Sequence, residues 1–110
     1  MESPDAQPEG RITVVRQSTA DMGDREIFVS LDGAELAILR HGASVTKAVT
    51  PGTHLLRAHN TLFWKKVELT LAPGEHARFV AVNKAGWGTY GIASVLGAGP
   101  IYLTFERQDL

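Results

Sequence analysis

The sequence predicts an all-β domain, an immunoglobulin-like antiparallel β-sandwich of about seven or eight short strands. Three observations carry this. Two similar turns, Pro51-Gly52-Thr53-His54 and Pro73-Gly74-Glu75-His76, each open a run of alternating apolar residues. Asp32-Gly33 joins two more such runs in the manner of a tight hairpin. Nowhere do apolar residues recur at helical spacing together with a cap and good helix formers.

The elements follow in chain order. Arg11 to Gln17 is β-like, because Ile12, Val14 and Val15 are branched and Thr13 lies between them. Ser18 to Arg25 holds Asp21, Gly23 and Asp24 and reads as a loop. In Glu26 to Asp32, alternation puts Ile27, Val29 and Leu31 on one face and Phe28 and Ser30 on the other. Gly33 supplies the positive φ of the turn, and the chain returns through Glu35 to Leu39. Arg40-His41-Gly42 is the next turn, and Ser44 to Val49 is a weaker strand. Thr50-Pro51-Gly52 suits a type II turn, with proline second and glycine third. Beyond it, His54, Leu56 and Ala58 share one face, and Leu55, Arg57 and His59 share the other.

Asn60-Thr61 is a break. Trp64 to Ala72 has the clearest alternation, with Val67, Leu69 and Leu71 inward and Lys66, Glu68 and Thr70 outward. Glu75 to Asn83 is partly apolar on both faces, which suits a central strand. If the two strands opened by Pro-Gly turns flank Trp64 to Ala72 in one sheet, their backbones lie about 10 Å apart. Lys84 to Pro100 is glycine-rich and long for a connection. Ile101 to Glu106 is the last strand.

Bulk properties frame one domain over residues 11–107, after an acidic, proline-bearing tail over residues 1–10 that reads as disordered. A hydrophobic fraction of 44% and a charged fraction of 21% are those of a soluble globule with a core of its own. There is no cysteine, which excludes disulfides and thiolate metal sites. The N-terminus lacks the basic start and apolar stretch of a secretory signal, so a cytoplasmic location is expected. The weakly polar stretch from Gly86 to Leu103 is broken by Gly86, Gly88, Gly91, Gly97 and Gly99, so no membrane span is expected.

Charge is distributed unevenly. Residues 1–35 hold three basic and eight acidic residues, net −5; residues 36–84 hold seven basic and two acidic, net +5. Such complementary halves suit pairing within the fold or between copies, or an anionic partner.

Val29-Ser30-Leu31-Asp32-Gly33, then Gly42, then Pro51-Gly52-Thr53-His54-Leu55-Leu56-Arg57-Ala58, resembles PEGA-type and related immunoglobulin-like small domains. The likeness spans about residues 26–82 and rests on turn chemistry. Where such domains often carry Gly-Tyr after the His strand, this chain has Phe63-Trp64. The resemblance implies a β-sandwich interaction module and brings no catalytic residues with it.

The residues that could carry chemistry do not assemble into a reaction centre. His54 and His59 are five apart, which on a strand places them on opposite faces. His41, His54, His59 and His76 are expected to pack and bond locally rather than hold a metal. Ser18, Ser30, Ser44 and Ser94 sit in no nucleophile elbow, and Asp32 and Glu35 bracket a hairpin. Gly86-x-Gly88-x-x-Gly91 has the letters of a dinucleotide fingerprint without the following helix. No catalytic residue, metal or cofactor is expected, and the protein is read as not an enzyme.

The expected function is a non-catalytic protein-interaction module acting through a sheet edge, such as Ser44 to Val49 or the C-terminal strand, or through the loop Lys84 to Pro100. Two alternatives are a self-assembling structural subunit and a carbohydrate- or peptide-binding domain using Trp87 and Tyr90. Lys65 and Lys66 join Trp87 and Tyr90 as candidate contact residues, with Arg57 and His59 near them. The basic cluster is too small for nucleic acid, and a small-molecule ligand is not expected.

Overall fold

The computed structural model describes residues 8–19, 21, 25–61, 63–85 and 101–108, and the side chains of 84, 85, 101 and 102 are not described. Eight strands run through them: β1 (Gly10–Val15), β2 (Ile27–Leu31), β3 (Ala34–Leu39), β4 (Ser44–Val49), β5 (Gly52–His59), β6 (Trp64–Leu71), β7 (His76–Ala85) and β8 (Ile101–Arg107). There is no helix among the described residues. The strands form two four-stranded sheets, ordered β4-β1-β7-β8 and β3-β2-β5-β6. Every pairing is antiparallel except β1–β7, which is parallel from Arg11↔His76 to Val15↔Val80. That exception departs from a wholly antiparallel expectation. A parallel pair needs a long connection, and five strands separate these two in the chain.

Both sheets contribute to one core. Ile12, Val14, Phe79, Ala81 and Leu103 from the first sheet pack with Ile27, Val29, Leu56, Ala58, Leu69 and Leu71 from the second. The alternation read from the sequence is the burial pattern seen: Ile27 and Val29 are buried where Phe28 is not, and His54, Leu56 and Ala58 are buried where Arg57 is exposed. β7 is central, between β1 and β8, and Val82 on its outward parity is also buried.

The turns divide into two kinds. Asp32 (φ 50) and Gly33 (φ 86) form the two-residue hairpin between Leu31 and Ala34, with positive φ at both positions as a type I′ turn requires. The Pro-Gly turns instead carry the chain from one sheet to the other, β4 to β5 and β6 to β7. Hence β5 and β7 do not flank β6 in one sheet; β7 leaves to pair with β1 and β8, whose apolar inner positions it completes. In the second turn Gly74 has φ 75, and the Glu75 N–H donates to Ala72 O at 3.0 Å. Glu75 Oε1 accepts from Ala72 N at 2.8 Å and Oε2 accepts from Arg107 at 2.7 Å. These bonds, the Ala72 amide first, hold the Glu75 carboxyl below its usual range. Gly10 lies so close to this turn that a Cβ there would stand 2.8 Å from Glu75 O.

One end of the fold is closed by a buried polar network. Arg16 is fully buried; its Nε and Nη2 donate to the two Asp21 carboxylate oxygens at 3.0 and 3.1 Å, and Nη1 donates to Leu39 O at 2.7 Å. Asp21 also accepts from the Asn83 backbone N–H at 3.2 Å. The Asn83 side chain takes a bond from Asn60 at 3.0 Å and gives one to Arg25 O at 3.1 Å. Arg16 and Asn83 belong to the β1/β7 side and Leu39 and Asn60 to the other sheet, so the network ties the sheets together where the β1–β2 connection crosses.

Candidate interaction surface

Two sites stand out on the sheet β3-β2-β5-β6: a histidine–aspartate clamp at its turns and an aromatic ladder on its outer face. His54 opens β5 with its side chain inward, and Asp32 begins the β2–β3 turn beside it. His54 Nδ1 lies 2.6 Å from Asp32 Oδ2, and Nε2 lies 2.6 Å from Thr50 O. Both neighbours are acceptors, so the geometry suits the doubly protonated ring, which can donate from both nitrogens. The Asp32 bond, then the Thr50 bond, raise the His54 pKa above its ordinary value of 6.5. The His54 bond, then the Leu55 amide, lower Asp32 below 3.8. Asp32 Oδ1 takes that Leu55 N–H at 2.8 Å, so one carboxylate fastens the hairpin turn to β5. The histidine repeated in the two Pro-Gly turns thus has two different roles. His76 is exposed and bonds to Thr13 Oγ1 at 2.6 Å, in the other sheet.

The clamp has a pH signature. A raised histidine pKa means a contribution that is full below pH 6.5 and is lost as pH rises through the higher folded value. The lowered Asp32 gives a contribution that is full above pH 3.8 and is lost as pH falls through the still lower folded value. We expect the urea-unfolding free energy to decline above pH 6.5 by about 1–2 kcal/mol, reduced from the buried case because Asp32 is half exposed. The decline should vanish in His54→Gln; an undiminished alkaline limb in that variant would place its origin elsewhere.

On the outer face, the register brings four side chains into one row across all four strands: Ile38↔Phe28↔His59↔Trp64. Parity puts each on the side opposite the core. The rings stack, Phe28 on His59 at 4.8 Å between centroids and His59 on Trp64 at 3.9 Å. The break at Asn60-Thr61 sets this register. Asn60 N–H donates to Phe63 O, Asn60 Oδ1 accepts from Phe63 N, and Thr61 adopts φ 75. Thr61 N also donates to His59 Nδ1 at 3.2 Å, which fixes the ring in the stack. Trp64 is 67% exposed and Ile38 46%, so the ladder ends in solvent on both sides.

Polar groups border the row. Glu35, Ser30 and Arg57 line a shallow groove of about 260 Å³ with Phe28, His59 and Trp64. Arg57, Lys65 and Lys66 line another of about 250 Å³ with Trp64. Lys65 and Lys66 are both exposed and line the groove beside Trp64, Lys66 on the outer face and Lys65 from the opposite parity of the edge strand. Trp87 and Tyr90 lie outside the described residues, as does most of the loop Lys84 to Pro100. The strands Ser44–Val49 and Ile101–Arg107 are the two edges of their sheet. Sequence reading named His59 and Trp64 without joining them to Phe28 and Ile38. Their common row is a matter of register, although the outward parity of Phe28 and His59 was a usable signal.

Among the described residues, no group of three or more His, Cys, Asp or Glu is placed to hold a metal ion. No helix among them is long and apolar enough to cross a membrane. No protein-family model, curated protein or solved structure matches the chain.

Proposed function

We propose that this protein is a non-catalytic interaction module with an immunoglobulin-like sandwich fold, related in kind to PEGA-type domains. It binds a protein partner on the outer face of β3-β2-β5-β6. The single observation that supports this is the ladder Ile38-Phe28-His59-Trp64, an apolar and aromatic row that runs across all four strands of the outer face and ends in exposed Ile38 and Trp64. Aromatic side chains bury large areas at low entropic cost and serve as anchors in interfaces. Arg57, Lys65 and Lys66 around Trp64 favour a partner segment carrying carboxylates. The ladder also offers an aromatic platform distinct from the expected one at Trp87 and Tyr90.

Affinity capture with the intact chain, in parallel with Trp64→Ala and Arg57→Glu, tests the reading. A partner retained by the intact chain should be lost at least tenfold from both variants. Both variants should keep the unfolding free energy to within about 1 kcal/mol, since these side chains are exposed and Trp64 loses only its stack on His59. Equal capture by all three proteins would overturn the assignment to this face.

A further inference from the structure

We infer that β6 is a homodimerisation edge, pairing antiparallel with β6 of a second copy about a two-fold axis at Val67. This is independent of the partner bound on the sheet face. β6 is the last strand of its sheet, with β5 on one side and no strand on the other among the described residues. Backbone direction can be assigned residue by residue. Leu55 gives its N–H to Asp32 Oδ1 and takes the Asp32 N–H on its carbonyl, so its amide faces β2. The alternate residues His54, Leu56 and Ala58 therefore bond to β6 through their partners Leu69, Val67 and Lys65. That leaves the N–H and C=O groups of Trp64, Lys66, Glu68 and Thr70 pointing out of the open edge.

Charge then selects the register. Two-fold pairing through these outward groups must match even-numbered residues with even-numbered ones. A centre at Lys66 sets Lys66 against its own copy, and a centre at Glu68 sets Glu68 against its own copy. A centre at Val67 instead sets Lys66 opposite Glu68 of the second copy, twice, and Trp64 opposite Thr70. Within one chain Lys66 lies directly across from Arg57, a like-charge pair that disfavours the isolated sheet. A Glu68 carboxylate from the second copy supplies the missing opposite charge. Of the four sheet edges among the described residues, only β6 carries opposite charges two residues apart on one face. The product is a continuous eight-stranded sheet with both aromatic ladders on one surface, their Trp64 residues about 20 Å apart along the strands.

Sedimentation equilibrium of the full chain at low salt, repeated at high salt, tests this together with three variants. The unaltered chain should be a dimer that weakens as salt rises. Lys66→Glu and Glu68→Lys should each raise the dissociation constant by about tenfold or more, because each sets like charges opposite one another at both positions. The double variant Lys66→Glu with Glu68→Lys should restore the dimer, since it exchanges the charges without changing the pairing. A monomer at every concentration overturns the inference, as does dimerisation that the single variants leave unchanged. A double variant no better than the singles overturns the register.

Discussion

Asp21→Ala is expected to destabilise the fold by about 3–5 kcal/mol, a large part of the stability of a domain this size. The substitution does not merely delete one ion pair. It leaves the Arg16 guanidinium fully buried with two of its donors unanswered, and it removes the acceptor of the Asn83 amide. Removing both charges is a different experiment. In Arg16→Met with Asp21→Leu no buried charge is left unpaired, and the loss should be well below that of Asp21→Ala. Urea unfolding of the three proteins at neutral pH measures the difference. A loss under about 1 kcal/mol for Asp21→Ala would mean that water reaches Arg16 in solution.

Phe79→Ala should cost about 3–5 kcal/mol. Phe79 is fully buried at the centre of β7 and stacks on Phe105 at 5.3 Å between centroids. It faces residues of both sheets, so the cavity left by truncation has walls held by two hydrogen-bonded ladders and cannot readily collapse. Phe28→Ala, on the half-buried outer face of β2, should cost about 1 kcal/mol through lost stacking and partial burial. The ranking of the two phenylalanines is the decisive reading; near-equal losses would show that the outer face is covered in solution.

The alternation of Ile27, Val29 and Leu31, of His54, Leu56 and Ala58, and of Val67, Leu69 and Leu71 was legible in the sequence. A strand has period two, and half of each strand must meet the core. The Asp32-Gly33 hairpin was legible because few residues accept two successive positive φ values. His54 was legible as a residue that bonds near its own turn. Its bond to Asp32, 22 positions earlier, was not, because only the β2–β5 pairing brings them together. Arg16 reads as an ordinary strand-end cation, and nothing local announces that it is fully buried. Its burial depends on a carboxylate in the next loop and a carbonyl in β3 being delivered to the same point. The ladder was half legible: parity gave the faces of Phe28, His59 and Trp64, and register alone aligned them.

By itself, then, the sequence determined the all-β class, the strands, the inward face of those with clear alternation and the places where the chain turns, because these depend on side-chain alternation and on local backbone preference. Only the tertiary structure decided which turns stay within a sheet and which cross between sheets. It alone sent β7 to pair in parallel with β1, buried Arg16 with Asp21, and aligned four separate strands into one exposed row. Pairing partners and register are chosen by the fit of whole apolar faces in a shared core, a quantity distributed over residues far apart in the chain.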